Sequence, residues 1–140
     1  MMHLCNETIT VINRTHNVED DLTAYVKTVI HGASWFGSLK SNVDNSGLKA
    51  ANLYTVRIDA KNADTGGKTY TNPIDFADNP TEAKFTIANG DIIVRGEVTE
   101  ADENITPKLI HSNYAEVLTV LSVTDNRRTQ NAPHWKVVGA

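Results

Sequence analysis

The chain has 140 residues, of which 40% are apolar and 21% charged. This composition predicts one globular domain spanning residues 1–140 and excludes the disordered class. The formal net charge of -4 argues against broad electrostatic binding to nucleic acid, because phosphate contacts need a basic surface. No apolar run approaches the roughly 20 residues that span a bilayer, and we find no export signal, so we expect no membrane segment.

The first part of the chain predicts two β-strands. In "ETITVINRT", β-branched residues and threonines alternate between two faces, as on a pleated surface. The stretch "AYVKTVIHGASWF" continues this pattern, and Gly32 predicts a bulge or bend inside a long strand. Trp35 and Phe36 follow, and we interpret both as core residues.

The middle of the chain alternates between predicted loops and strands. The stretch "GSLKSNVDNSGLKAAN", residues 37–52, is long and polar and predicts a loop of functional importance. In "LYTVRIDA", clean alternation indicates a strand with one buried and one wet face. The stretch "KNADTGGKTYTNPIDFADNPTEAKF" predicts a loop excursion with one short strand around Tyr70.

The last part predicts a turn, a helix and a hairpin. Asn89 and Gly90 form a strong turn dipeptide within "FTIANGDIIVRGEV". Thr106 is the expected N-cap of a short helix, with Pro107 at its first position. A longer helix through Leu121 is the alternative, since "AEVLTVLSV" reverts to alternation. The two β runs around "TDNRRTQNAP" predict a wide closing hairpin.

Several short strands separated by turn signals are typical of a barrel or a sandwich. We therefore expect a mainly β fold, a small antiparallel β-barrel or sandwich with long loops and one short α-helix.

Residues with catalytic or metal-binding chemistry do not form a recognisable pattern. His3 and Cys5 could share a strand face, but they lack further ligands at a spacing that zinc requires. Gly66 and Gly67 are not followed by the lysine and Ser/Thr of a phosphate loop, and no serine lies in a nucleophile elbow. We therefore expect no metal, no cofactor, no small-molecule substrate and no enzymatic activity.

Binding of single-stranded nucleic acid is a further hypothesis, because a small barrel can present aromatic and basic side chains on one strand face. Tyr54 and Arg57 share a predicted strand. Aromatic residues make up only 6% of the chain, however, and the charge balance is acidic. The alternative is that Trp35, Phe36 and Tyr54 build the core.

Arg127 and Arg128 are the most concentrated charge in the sequence. An arginine pair in a loop is commonly solvated, yet arginine is also enriched at protein interfaces because its planar guanidinium makes bidentate contacts. The sequence leaves packing and partner contact open. If the pair contacts a partner, charge reversal at both positions spares folding and damages assembly.

Four segments, "LCNETITVINRT", "VIHGASWFGSLKSNVDNSGLKAANLYTVRI", "NGDIIVRGEV" and "VTDNRRTQNAPHWKVVGA", resemble a family of small phage and prophage proteins. These proteins are found close to the portal and capsid genes of phages of gut and Firmicutes-type bacteria. The resemblance covers nearly the whole chain and implies a minor capsid or head–tail connector (head-closure) protein. It further implies a β-barrel subunit of a ring, stacked between the portal-side adaptor and the tail.

This resemblance implies a virion protein that is made in the host bacterial cytoplasm and that double-stranded DNA passes without specific binding. It implies no catalytic residue and provides no binding motif, so the expected interface residues follow from the polar loops alone. They are Lys40, Asn42, Asp44, Lys49, Arg127, Arg128 and His134. A tail-terminator or tail-completion protein is the alternative, and a single-stranded nucleic-acid-binding barrel is a more distant one.

Overall fold

The structure is a computed structural model that describes residues 6–17, 22–44, 47–78, 83–128 and 132–140. Side chains are described over these ranges except at 16, 17, 22, 38–44, 47–52, 77 and 78. The strands in these ranges are β1 (Glu7–Asn17), β2 (Leu22–Asp44), β3 (Gly47–Asp59), β4 (Thr69–Tyr70), β5 (Lys84–Phe85), β6 (Ile92–Arg95), β7 (Val117–Asn126) and β8 (His134–Gly139). The helical segments are α1 (Pro73–Asp78), a 3₁₀ turn (Asp102–Asn104) and α2 (Pro107–Asn113).

Six strands close into an antiparallel barrel. Their order is β1-β2-β3-β8-β7-β6, and β6 pairs with β1, so each strand has a hydrogen-bonded neighbour on both sides. A closed barrel has no free sheet edge along its paired length. The prediction of a mainly β fold with an antiparallel barrel is confirmed, as is the closing hairpin of β7 and β8.

One apolar cluster fills the interior of the barrel. Every second residue of a strand faces inward, and β-branched residues dominate because they suit a pleated surface. Trp35 and Trp135 are 8% and 5% exposed and belong to this cluster. Its other buried members are Ile9, Val11, Ile30, Ala33, Val56, Ile58, Phe85, Ile87, Ile93, Leu118, Val120 and Val137.

A second apolar cluster lies on the outside of β1 and β6. Its buried members are Ile12, Ile92, Val94, Val98, Ile105 and Ile110. The last three belong to the segment that contains α2, so this segment covers the outer face of the two strands. Both faces of β1 and β6 are therefore buried. The alternation in the sequence of β1 predicts two distinct faces but does not indicate which of them are covered.

The start of α2 is as predicted. The Thr106 hydroxyl accepts a hydrogen bond from the Leu109 N–H at 3.2 Å, and Pro107 is the first helical residue. The helix ends at Asn113 and β7 begins at Val117, so the longer helix is wrong. The β-branched residues of "VLTVLSV" favour a strand, and pairing with β6 and β8 stabilises it.

Gly32 forms the bulge that the sequence predicts in β2. The register with β1 shifts between Glu7 and Thr8, opposite this glycine. Its φ of 113° lies in the region that glycine favours, and a Cβ there would lie 2.9 Å from the Cα of Ala63. The bulge thus lets the turn after β3 approach β2 closely.

The excursion between β3 and β6 contains more regular structure than the sequence indicates. The short strand expected around Tyr70 is confirmed as β4, and it pairs in parallel with β5. The helix α1 is additional to the one helix predicted. Asn72 caps it, because its Oδ1 accepts from the Asp75 N–H at 2.9 Å and its Nδ2 donates to the Asp75 carboxylate at 2.7 Å. In the sequence, an Asn-Pro pair before so short a helix looks like a turn, so α1 was not predicted.

A buried polar network ties β1 to the turn before β6. Asn13 Nδ2 donates to the Thr86 carbonyl at 2.6 Å and to Asp91 Oδ2 at 2.8 Å, and the Thr86 N–H donates to Asn13 Oδ1 at 3.2 Å. Asp91 also accepts from the backbone N–H of Ala88 at 3.1 Å and of Arg14 at 3.3 Å. Burial raises the pKa of Asp91, and the hydrogen bonds that it accepts offset only part of this rise.

Asp59 holds the turn that follows β3. Its Oδ1 accepts from the backbone N–H of Lys61 at 3.0 Å and of Asn62 at 3.1 Å, and its Oδ2 accepts from Asn62 Nδ2 at 3.1 Å. Burial raises the pKa of Asp59, but the hydrogen bonds from Asn62 and Lys61 outweigh it and the net shift is downward. The pKa values of the two buried aspartates are thus shifted in opposite directions.

We predict that these two carboxylates give opposite pH dependences of stability. The pKa of Asp91 is raised on folding, so the stability that it contributes is present below pH 3.8 and is lost as pH rises through the folded pKa. The pKa of Asp59 is lowered, so its contribution is present above pH 3.8 and is lost as pH falls through the folded pKa.

Urea unfolding of Asp91→Asn, Asp59→Asn and the unmodified chain between about pH 2 and pH 7 measures these contributions. The free energy of unfolding of the unmodified chain minus that of Asp91→Asn should fall with rising pH, whereas the difference for Asp59→Asn should rise. The exposed Ser112→Ala, which changes no titratable group, is the control and should give a flat difference. Slopes of the same sign for the two aspartates would contradict the account.

Candidate assembly surface

β2 and β3 continue beyond the barrel as a two-stranded arm. β2 last pairs with β1 at Ala33, and the pairing of β3 with β8 starts at Tyr54. Residues 38–44 pair with residues 47–53 in an unbroken register. In the described part of the chain these two stretches pair only with each other, and we call them the arm.

The arm replaces the long polar loop predicted for residues 37–52, so that prediction is wrong. Serine, asparagine and glycine favour turns and are depleted in strands, and they hide the alternation that the register reveals. The expected interface residues Lys40, Asn42, Asp44 and Lys49 lie on the arm, where Asn42 pairs with Lys49. Their side chains lie outside the described residues.

The arm leaves the barrel at a contact between a glycine and an aromatic ring. Gly37 pairs with Tyr54, and a Cβ on Gly37 would lie 3.2 Å from the Tyr54 ring. The centroids of the Tyr54 and Trp35 rings are 5.1 Å apart. Tyr54 therefore closes the apolar interior at this end, which confirms Trp35 and Tyr54 as core residues.

The outer face of the barrel exposes large apolar residues on β2 and on β7. Phe36 is 64% exposed and Leu121 is 54% exposed. The register places them in one row, because Phe36 pairs with Thr55, Thr55 with Val138, and Val138 with Ser122 beside Leu121. Leu121 lies at a register shift of β7. We call Phe36, Thr55, Val138 and Leu121 the outer row.

The prediction that Phe36 is a core residue is wrong. Adjacent residues of a strand point to opposite faces, and Trp35 occupies the interior position. The segment with α2 covers the outside of β1 and β6 and contacts β2 at Lys27, nine residues before Phe36 along the strand. Phe36 and Leu121 thus remain as large exposed apolar side chains among the described residues, on strands β2 and β7 that lie opposite each other in the barrel order.

Glu7 extends the stabilisation of β2 past the end of β1. Its Oε2 accepts from the Trp35 N–H at 3.2 Å, where β1 no longer provides a backbone partner. Arg95 holds this carboxylate through a hydrogen bond of 2.8 Å from Nε and also donates to Glu116 at 2.7 Å. The two carboxylates raise the pKa of Arg95. The barrel rim next to the outer row is therefore fixed by an exposed ion network.

Arg127 packs on the barrel although its side chain is 43% exposed. Its guanidinium lies 4.7 Å from the centroid of the Tyr70 ring and 5.1 Å from that of Trp135. Its Nε donates to Asp125 Oδ1 at 2.9 Å and its Nη2 donates to Asp125 Oδ2 at 2.7 Å, and these hydrogen bonds lower the pKa of Asp125. The structure thus favours packing over partner contact for Arg127.

The other two hairpin residues differ in their surroundings. His134 is half-buried, with its Nδ1 at 2.9 Å from the Ala132 carbonyl and its Nε2 at 3.2 Å from Asn126 Nδ2. A neutral ring that donates from Nδ1 satisfies both contacts. Arg128 is exposed, and its side chain has no hydrogen bond or ion pair with another described residue. Arg128 is therefore the better candidate for a partner contact.

Among the described residues, no three His, Cys, Asp or Glu residues group closely enough to hold a metal ion. His3 and Cys5 lie outside the described residues. Within the same ranges, no helix has the length and apolar character needed to cross a membrane.

Comparison with known protein families matches residues 4–140 to DUF6751, a family of unknown function. The chain belongs to the DUF6751 family. The match includes the barrel, the arm and the closing hairpin. No curated protein and no solved structure matches this DUF6751 chain.

We predict that the two adjacent arginines differ in their effect on stability. Arg127→Ala removes two cation–π contacts and an ion pair and should lower the free energy of unfolding by about 1–2 kcal/mol. Arg128→Ala should change it by less than about 0.5 kcal/mol. Urea unfolding followed by circular dichroism measures both, and a loss of less than about 0.5 kcal/mol for Arg127→Ala would show that Arg127 does not stabilise the hairpin.

Proposed function

We propose that this DUF6751 chain is a non-enzymatic structural protein of a phage particle, which assembles as a ring at the head–tail junction. Its partners would be further copies of itself, the portal-side adaptor and the tail. The chain would be made in the host bacterial cytoplasm and incorporated into the virion. No cofactor, metal or small-molecule substrate is part of this proposal.

The arm is the observation that carries the proposal. A two-stranded ribbon that leaves its sheet is marginally stable in water, so it needs packing from another element. The closed barrel provides its own hydrogen bonds and does not need the arm. A fold of this kind suits a subunit whose compact body positions an extension toward its neighbours.

Two further observations support an assembly role. Phe36 is 64% exposed on β2, one of the two strands that continue into the arm, so a neighbour that contacts the base of the arm would also bury this large apolar side chain. Four sequence segments resemble small phage structural proteins, which gives the assembly its proposed place. The acidic charge balance suits a conduit that DNA passes without specific binding.

Electron cryomicroscopy of the phage particle whose genome encodes this chain tests the proposal. We expect a ring of barrels between the portal complex and the tail, with the arms at the contacts between subunits. Density at the end of the tail tube, without contact to the portal-side adaptor, would instead support a tail-terminator protein. Absence of the chain from the neck would contradict the proposal.

We predict that removal of the arm separates assembly from folding. In this variant residues 40–51 are deleted and Leu39 is joined to its partner Asn52 by an Asn-Gly turn. The barrel pairs remain, so the free energy of unfolding should change by less than about 1 kcal/mol. Particles assembled with the variant should lack tails.

The exposed α2 substitution Ser112→Ala is the control and should support tailed particles. Tailed particles formed with the arm deletion would contradict a role of the arm in assembly. Unfolding of the deletion variant would show that the barrel depends on the arm, which the pairing pattern does not indicate.

A further inference from the structure

Two basic residues lie directly opposite each other on the outer face of the barrel. The register pairs Arg57 of β3 with Lys136 of β8, and the residues on either side of each in sequence belong to the interior cluster. Ser34 pairs with Arg57 and Thr124 with Lys136, so this row across four strands contains no carboxylate. Like charges directly opposite each other destabilise a sheet, and an anionic partner would relieve this repulsion. We call Arg57 and Lys136 the basic pair.

An exposed aromatic ring and a buried carboxylate lie next to the basic pair on the same face. Phe36 pairs with Thr55, two residues before Arg57, and is 64% exposed. Asp59, two residues after Arg57, is buried, and its carboxylate accepts hydrogen bonds from the turn that follows β3. A partner that covers the basic pair would therefore also bury the Phe36 ring.

The opposite side of the barrel carries a run of carboxylates. Val98 and Ile105 pack on the outside of β1 and β6, which lie opposite β8 and β3 in the strand order. Residues 97–104, in the same stretch, contain four acidic residues and no basic residue. We call these four residues the acidic segment, which consists of Glu97, Glu100, Asp102 and Glu103.

The carboxylates of the acidic segment differ in whether the chain itself binds them. Glu100 accepts a hydrogen bond from the Tyr114 hydroxyl at 2.6 Å, which helps to hold the segment on the barrel. Glu97 and Glu103 are exposed, and their side chains have no hydrogen bond or ion pair with another described residue. The amine of Lys27 lies beside the segment and offsets part of its charge. Two carboxylates thus extend from an anchored segment into solvent.

We propose that the acidic segment of one copy binds the basic pair of a second copy of this chain. This contact specifies how the proposed ring would form, and it rests on that proposed function. The two surfaces lie on opposite sides of one barrel, so each copy contacts two neighbours head-to-tail. Head-to-tail contacts close into a ring when the rotation between neighbours allows it. In a ring of many subunits, the two contact surfaces of each subunit lie nearly opposite each other.

The local charges favour a second copy over nucleic acid as the partner. Phosphates would also match the basic pair, but a nucleic-acid site on a strand face interleaves several aromatic rings with basic side chains. In the described part of the chain Phe36 is the only exposed aromatic side chain. A second copy provides four carboxylates within eight residues, whereas the net charge of -4 repels a phosphate backbone.

Sedimentation velocity of the purified full-length chain tests the contact without the phage particle. Exposed ion pairs are weak and are screened by salt. We therefore expect association at about 1 mM protein in about 20 mM NaCl, and loss of this association in about 500 mM NaCl.

Carbodiimide crosslinking of the unmodified chain locates the contact and needs no variant. The reagent activates a carboxylate, a nearby amine forms an amide with it, and the reagent leaves as its urea. ¹⁴N-labelled and ¹⁵N-labelled chains are mixed in low salt before the reagent is added. We expect mixed-isotope crosslinks between Lys136 and the acidic segment, and fewer of them in high salt.

Reversal of the charges provides a test with an internal rescue. Arg57→Glu with Lys136→Glu should leave a folded monomer, and Glu97→Lys with Glu103→Lys should do the same, because each variant then has like charges at the contact. An equimolar mixture of the two variants should associate again, since each meets oppositely charged side chains on the other. Circular dichroism should show that both variants keep the β-barrel.

A matched pair of single substitutions separates the position of a charge from its amount. Lys136→Glu should weaken association by at least about tenfold. Lys84→Glu changes the net charge equally at another half-buried lysine, on β5, and should retain association.

Four results would overturn the inference. They are a monomer at about 1 mM in low salt, the absence of mixed-isotope crosslinks between Lys136 and the acidic segment, equal weakening by Lys136→Glu and Lys84→Glu, and folded charge-reversal variants that do not associate when mixed. Each of these results leaves a ring at the head–tail junction possible through another contact. A chain that associates as expected but is absent from the phage neck would instead contradict only the proposed function.

Discussion

The hydrogen bonds between β1 and β6 are the constraint on which the rest of the structure depends. They pair β6, the last strand in the barrel order, with β1, the first, so that every strand of the barrel has two hydrogen-bonded neighbours. The segment with α2 buries the outer face of these two strands. The barrel strands form their pairs without the arm, which we propose contacts another molecule.

Polar residues at the turns of this barrel differ in what they do. Asn13 and Asp91 are buried and fix the turn before β6 to β1. Arg127 resembles a solvated loop residue in sequence, yet it lies over the Tyr70 and Trp135 rings and stabilises the closing hairpin. Its neighbour Arg128 is exposed as well, but in the described part of the chain only Arg127 lies over these rings. Adjacent residues of the same type therefore cannot be assigned one common role.

Much of the barrel could be predicted from the sequence, because its signals are local. Gly32 and Thr106 are examples, since a bulge and a helix cap each depend on a few neighbouring residues. The exposure of Phe36 follows from the alternation of a strand once Trp35 is assigned to the interior. The position of Arg127 was not predictable, because Tyr70 lies far from it in sequence and only the fold brings them together.

The arm was hidden for a different reason. Its residues are typical of loops, and its strands are recognisable only through their pairing with each other. Which parts of the outer barrel face are covered also depends on where α2 packs. This packing is a tertiary property. The sequence therefore indicates the barrel better than it indicates the surface that we propose for assembly.

Hydrogen–deuterium exchange tests the central claim, that the barrel is complete in one chain and the arm is completed by a neighbour. Amide exchange is measured for the dilute purified chain and for the chain in the proposed phage particle. Amides of the barrel core, such as those of Val11 and Val56, should be protected in both, whereas amides of residues 48–52 should be protected only in the particle. Equal protection of the arm in the dilute chain and in the particle would contradict the account.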